Sequence, residues 1–148
     1  MRKFLLPIIN LVNLILVSIA WGLSGKSAVI DAGRGDLACG NIYQVIWEGV
    51  KPNGVGIAGF FLFIFGCAAL LVAFVPFKYR KFVSCGAALM LITAGILFVN
   101  APWHYDRGMT ADIECTSALL AIASLIIIAG AFAGVMALIE FLDKKQSK

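Results

Sequence analysis

The sequence predicts an all-α integral membrane protein: four transmembrane helices in a bundle of two antiparallel hairpins, with a structured outer loop between the first and second spans. Three observations lead there. First, 61% of the 148 residues are hydrophobic and only 14% are charged, with a mean hydropathy of +0.97. A soluble domain has roughly 45–50% apolar and about 25% charged residues. Second, the apolar residues fall into four long runs, uncharged except for Glu140 near the end of the fourth, each long enough to cross a bilayer as a helix, which takes ~20 residues. Third, the basic residues alternate in density from one inter-run segment to the next, as topology requires. Four spans leave too little chain for a separate soluble catalytic or receptor domain, so the chain reads as one membrane domain, 1–148.

The first run covers 4–24, after Arg2 and Lys3, and is closed by Trp21 at headgroup depth. Ser18-Ile19-Ala20 has the small-x-small form that a signal peptidase cuts. The run nevertheless exceeds the ~7–15 residues of a signal core, so it is read as a retained span. A second run, 55–77, ends around Pro76 and is followed by the basic turn Lys78-Tyr79-Arg80-Lys81. The third, 82–101, follows at once and stops before Pro102. A connection this short joins antiparallel neighbours. The fourth, 115–142, is the longest and ends at Asp143-Lys144-Lys145; it spans with tilt.

Orientation follows from the basic residues. Arg2, Lys3, Lys78, Arg80, Lys81, Lys144, Lys145 and Lys148 fall on one side, and Lys26, Arg34, Lys51 and Arg107 on the other. Both termini are therefore expected in the cytoplasm, with outer loops at 25–54 and 102–114. Trp21, Trp47 and Trp103 all fall toward the outer side and read as an aromatic belt. The net charge of +4 is accounted for by topology. It forms no basic stripe with stacking aromatics, which sets nucleic acid aside as a partner.

The first outer loop is long enough to carry structure or function. Ile42, Tyr43, Ile46, Trp47 and Val50 lie at helical spacing, with Gln44, Glu48 and Lys51 opposite and Asn41 as an N-cap. A short amphipathic helix on the outer surface is expected, with a β-hairpin as the alternative for this brief stretch. Upstream, Arg34-Gly35-Asp36 sits in a glycine-rich segment and is read as a solvated turn rather than an adhesion motif. The second outer loop holds the sole histidine, His104, with Asp106, Asp112, Glu114 and Cys115 nearby. Their spacing fits no zinc signature, so no metal is expected. Cys39 and Cys115 share the outer side and are a candidate disulfide if that side is oxidising. Cys67 and Cys85 fall within spans as small apolar residues.

Inside the spans there is no acidic or basic side chain near any centre, Cys67 being the one ionisable group there, which argues against a proton-coupled carrier. Glu140 lies close to the basic side, where an i, i+4 pair with Lys144 accounts for it. The neutral polar residues are Asn10 and Asn13 on one face of the first helix, with Ser18, Thr93, Asn100 and Ser124 elsewhere. They read as interhelical hydrogen-bonding groups; the sharper alternative is a polar pocket at Asn10 and Asn13. On the fourth helix Ala123, Gly130 and Ala137 repeat every seven residues, and Gly130 with Gly134 forms a small-xxx-small element. Such residues let helix backbones come close, within the chain or against a partner. Gly54, Gly56 and Gly59 match a dinucleotide fingerprint only formally, since no strand precedes them, and they are read as easing the start of the second span.

No catalytic constellation and no cofactor motif is present in the sequence. The expected function is a non-catalytic structural or accessory subunit of a membrane complex or homo-oligomer. It would pack through Ala123, Gly130, Gly134 and Ala137 and dock through an outer face carrying Trp21, Trp47, Trp103 and His104. Its partners would be the lipid bilayer and other membrane subunits or a second copy. The alternatives are a small passive channel or carrier and, further off, an outer-face metal protein or enzyme.

Overall fold

A computed structural model of the chain describes residues 2–24, 28–31, 37–40, 54–100 and 113–146, with side chains at 5–23, 54–100 and 120–142. Its elements are α1 (Arg2–Ser24), β1 (Ala28–Asp31), β2 (Leu37–Gly40), α2 (Gly54–Phe74), α3 (Arg80–Asn100) and α4 (Ile113–Gln146). Each helix contains a stretch long and apolar enough to cross a membrane: Leu5–Leu23, Gly54–Phe74, Arg80–Asn100 and Leu120–Leu142. The protein is thus a multi-pass helical membrane protein.

The helices meet along faces whose spacing dictates how they pack. On α1 the buried positions are Leu6, Asn10, Asn13, Val17 and Ala20; on α2 they are Gly56, Gly59, Phe63, Gly66, Leu70 and Ala73. Both series step by alternating threes and fours. That averages 3.5 residues, the period that holds a seam in place along helices winding left-handedly. α3 and α4 bury wider faces. Ser84, Ala87, Ala88, Leu91, Ala94, Gly95 and Phe98 face inward on α3, and Ile122, Ala123, Ile126, Ala129, Gly130, Ala133, Met136 and Ala137 on α4. The contacts run in a ring: α1 beside α2, α2 beside α3, α3 beside α4, and α4 back against α1. The α1–α2 contact is the thinnest of these.

Outward positions are large and apolar, including Ile8, Leu11, Ile15, Phe65, Leu71, Leu89 and Leu138. In water this would be an aggregating surface. Among lipid tails it is neutral, so small residues, not large ones, mark the inside of a membrane bundle.

α2 ends at Phe74, ahead of Pro76. A residue before proline is pushed out of the helical region, which disfavours helix at Val75. The turn is closed by Val75 N donating to Val72 O (3.2 Å) and Arg80 N to Phe77 O (3.2 Å). Arg80 and Lys81 form the first turn of α3 and are not part of the connection. In the segment between α1 and α2, β1 and β2 pair antiparallel, with Ala28 opposite Gly40 and Asp31 opposite Leu37. The residues joining them, 32–36, lie outside the described residues, as do the 41–51 stretch read as an amphipathic helix and residues 102–112 of the expected second outer loop, 102–114, whose last two residues are helical and begin α4.

Candidate functional site

Two neighbouring features of the bundle interior concentrate the unusual residues: a glycine seam between the helices and a polar level toward the end that carries the α2–α3 turn.

The seam has three parts. Gly95 of α3 faces α4, where an added Cβ would collide with Ile127 Cγ1 and lie 3.0 Å from the Ala123 carbonyl oxygen. Gly130 of α4 faces α3 in return, with an added Cβ 2.8 Å from Ile92 Cγ1 and 3.1 Å from the Ala88 oxygen. Small residues seven apart on one helix, Ala88 and Gly95, therefore oppose small residues seven apart on the other, Gly130 and Ala123, in antiparallel order. Between α2 and α3, Gly66 lies under Leu91, whose Cδ2 would be 2.7 Å from an added Cβ, and Gly59 lies under Leu97 and Phe98. Because the glycines present backbone, the helices close on one another, which gains dispersion contacts along their whole length.

Beside this seam, Asn13 is fully buried on α1 and reaches the backbone of α4. With its amide nitrogen toward Ala129 O and its oxygen toward Ala133 N, both at 3.3 Å, it borders one turn of that helix. The reversed amide would instead put nitrogen 3.9 Å from the Met136 sulfur, a far weaker acceptor. Ala129 and Ala133 have no side chain large enough to shield the α4 backbone, which is what lets the amide in. Asn10, one turn earlier, is 2% exposed and its Oδ1 has no protein partner. The hydroxyl of Ser84, on α3, is likewise buried and unpartnered.

The remaining polar span residues act locally. Ser18 Oγ donates to Leu14 O (2.7 Å), Ser124 Oγ to Leu120 O (2.7 Å) and Asn100 Nδ2 to Ile96 O (2.8 Å), all four residues back on their own helix. These three side chains face outward, where lipid offers no partner, so their own helix supplies one; they do not join helices. Thr93 also faces outward.

At the turn end, Arg80 Nε donates to Glu140 Oε1 in an ion pair between α3 and α4. Glu140 is therefore engaged by a residue 60 positions away rather than by Lys144 alone, whose side chain lies outside those described. Lys81 Nζ stands 4.2 Å from the Phe141 ring centre and 4.9 Å from that of Phe82, and those two rings meet edge to face at 5.6 Å. At the opposite end, Trp21 packs on Phe60 (6.3 Å) and Phe63 (5.4 Å), and Phe63 on Phe98 (6.3 Å), which links α1, α2 and α3.

Of the residues singled out by sequence, Ala123, Gly130 and Ala137 lie buried on α4, while Gly134 is half-buried, with Ala88 Cβ in ordinary contact distance at 3.8 Å. Asn10 and Asn13 lie one turn apart in the interior. Trp47, Trp103 and His104 lie outside the described residues, and the side chains of Cys39 and Cys115 lie outside those described. Cys67 and Cys85 are free thiols. Among the described residues no three His, Cys, Asp or Glu side chains gather as metal ligands. Sequence reasoning missed Gly66, Gly95 and Ser84. The signal for the first two was present: Gly59, Gly66 and Ala73, like Ala88 and Gly95, repeat every seven residues, as Ala123, Gly130 and Ala137 do. Comparison with protein families, with curated proteins and with solved structures found no match.

Proposed function

We propose that this chain is a non-catalytic structural or accessory subunit of a membrane assembly. In this reading it is a bundle of two antiparallel hairpins with both termini in the cytoplasm. The segments 25–54 and 102–114 form its outer docking face for other membrane subunits or a second copy. The observation that carries the reading is where the small residues go. Gly59, Gly66, Gly95 and Gly130 all lie under side chains or carbonyls of the same chain, so the tightest helix faces serve the bundle itself. Recognition is then left to the polar outer segments, which hold Trp47, Trp103 and His104. Burial of Phe63, Leu70, Leu91, Phe98 and Ile126 at 0–1% exposure supports a filled body over a conduit through a single chain.

Native mass spectrometry of the full chain, extracted in a mild detergent, tests the proposal. A stable complex with a second copy or another membrane protein is expected, and it is expected to fall apart when residues 41–51 are replaced by a Gly/Ser stretch of equal length. A monomer with no companion, or a complex indifferent to that replacement, refutes the docking role. Solute flux in reconstituted vesicles above the empty-vesicle background would instead favour the channel reading.

A further inference from the structure

We propose that the bundle holds a buried hydration site between Asn10 of α1 and Ser84 of α3, at the level of Met136 in the half nearer the α2–α3 turn. The inference is independent of what the outer segments bind.

The registers converge on this level. Gly130 beside Ala88 and Ile92, Gly95 beside Ala123 and Ile127, and Arg80 paired with Glu140 set Ser84 level with Met136. Asn13 beside Ala129, Ala133 and Met136 sets Asn10, one turn nearer the turn end, level with Met136 as well. Gly59 beside Phe98 and Gly66 beside Leu91 bring Ala73 of α2 to the same height. The layer thus holds Asn10, Ala73, Ser84 and Met136, with Ala137 next to it, all buried. It differs from the layers beyond it, where Phe63, Leu70, Leu91, Phe98 and Ile126 fill the core.

Both Asn10 Oδ1 and Ser84 Oγ are closed to solvent and without a protein partner. A hydroxyl in a membrane helix usually satisfies itself on the carbonyl four residues back, as Ser18 and Ser124 do here. Ser84 does not, although it is the one of the three that points inward. Two orphaned polar atoms on diagonally placed helices, flanked by alanines, are costly when dry. Water removes the cost, because a single molecule both donates and accepts and needs only two to four polar neighbours. Asn10 Oδ1 accepts, Ser84 Oγ donates or accepts, and the Met136 sulfur is a weak third acceptor. About one or two molecules would satisfy this set. Among the described residues the layer contains no charged group, so the ligand class is water and not an ion.

Solid-state NMR of the full chain in lipid bilayers, with magnetisation transferred from water protons, reads this directly. Transfer to the Asn10 side-chain amide is expected to be several-fold faster than to the backbone amides of Leu70 and Ile126. Ser84→Ala is expected to cut it by half or more while the Leu70 and Ile126 shifts stay in place. Transfer to Asn10 as slow as to Leu70 overturns the proposal, and so does fast transfer untouched by Ser84→Ala. A second measurement guards against a fold defect. In thermal unfolding of Asn10→Leu, Ser84→Ala and the double variant, a shared water makes the double loss in Tm smaller than the sum of the single losses. Additive losses, or a rise in Tm for Ser84→Ala alone, overturn it.

Discussion

Replacing Gly95 by alanine isolates the contribution of the α3–α4 seam, because Gly86 on the same helix supplies the control. A Cβ at Gly86 would have only Met90 Cε nearby, at 3.8 Å, which is ordinary contact. Gly86→Ala should therefore gain helix propensity of up to about 1 kcal/mol without a packing cost. At Gly95 the same methyl meets Ile127 Cγ1 and stands 3.0 Å from the carbonyl oxygen of Ala123. The Ile127 side chain has other rotamers; the carbonyl belongs to helix backbone and has none. To admit the methyl, α3 and α4 must part by roughly half an ångström, a gap that already forfeits about a quarter of each contact's dispersion well. Overpacking of this kind costs about 1–3 kcal/mol.

Setting that against the same propensity gain leaves Gly95→Ala between neutral and about 2 kcal/mol less stable than the parent, and about 1–3 kcal/mol below Gly86→Ala. The assay is reversible unfolding in mixed micelles, followed by far-ultraviolet circular dichroism, with the three proteins compared at one detergent composition. Gly95→Val should fall further still, since a branched side chain cannot avoid the Ala123 carbonyl. If Gly95→Ala proves as stable as Gly86→Ala, the close contact of α3 and α4 does not hold the bundle together and the seam argument fails.

Further substitutions probe other parts of the fold. Glu140→Ala should destabilise by about 1–3 kcal/mol, between the values for exposed and buried pairs, with Arg80→Ala similar and the double variant costing less than the sum in a cycle measured by the same unfolding assay. Asn13→Ala should cost about 0.6 kcal/mol and at most about 2, the range for hydrogen bonds between membrane helices, with the helical content unchanged by circular dichroism. Ser18→Ala and Ser124→Ala should lie within about 0.5 kcal/mol of the parent in unfolding midpoint, because both hydroxyls bond only their own helix. On the proposed orientation, Lys78→Cys in a background with Cys39, Cys67, Cys85 and Cys115 all replaced by alanine should resist a membrane-impermeant thiol reagent added outside cells and react after permeabilisation; labelling before permeabilisation reverses the topology.

The spans were legible because length and apolarity are written locally; the helix ends were less so, since the second run was read as 55–77 whereas α2 stops at Phe74, ahead of Pro76. The bundle contacts were legible only in part. The seven-residue recurrence of Ala123, Gly130 and Ala137 was picked out on α4, although Ala129, Ala131, Ala133 and Gly134 lie among them. On α2 the same recurrence is masked by Gly54 at the start of the helix, which draws attention to a glycine cluster rather than to Gly59 and Gly66 at its packing face. Pairings between distant residues leave no local trace. Lys144 is four residues from Glu140 and Arg80 is sixty, yet a chain that turns at Pro76 brings Arg80 alongside. Ser84 looked like any helical serine until the burial of its hydroxyl distinguished it from Ser18 and Ser124.

What the packing allows also bears on what the chain does. A helix pair transmits a signal by sliding or rotating when its interface has two arrangements of similar energy. The α3–α4 interface works against that: each glycine sits over a backbone carbonyl of its neighbour, and a shift along the axis would place a larger side chain there. The turn end of the pair is tied as well, by Arg80 with Glu140 and Lys81 with Phe141, while at the opposite end the Trp21, Phe60, Phe63 and Phe98 rings join α1, α2 and α3. The thinnest contact in the ring is α1 with α2, and α1 is held to α4 through Asn13. If any part of the bundle yields when a partner binds, it is the turn end of α1, swinging from α2 about the Trp21 contacts with Phe60 and Phe63, and not the α2–α3–α4 block. A spin label at Ile8 and another at Leu71 would report that motion as a change in their separation, while labels at Leu89 and Leu138 would report none.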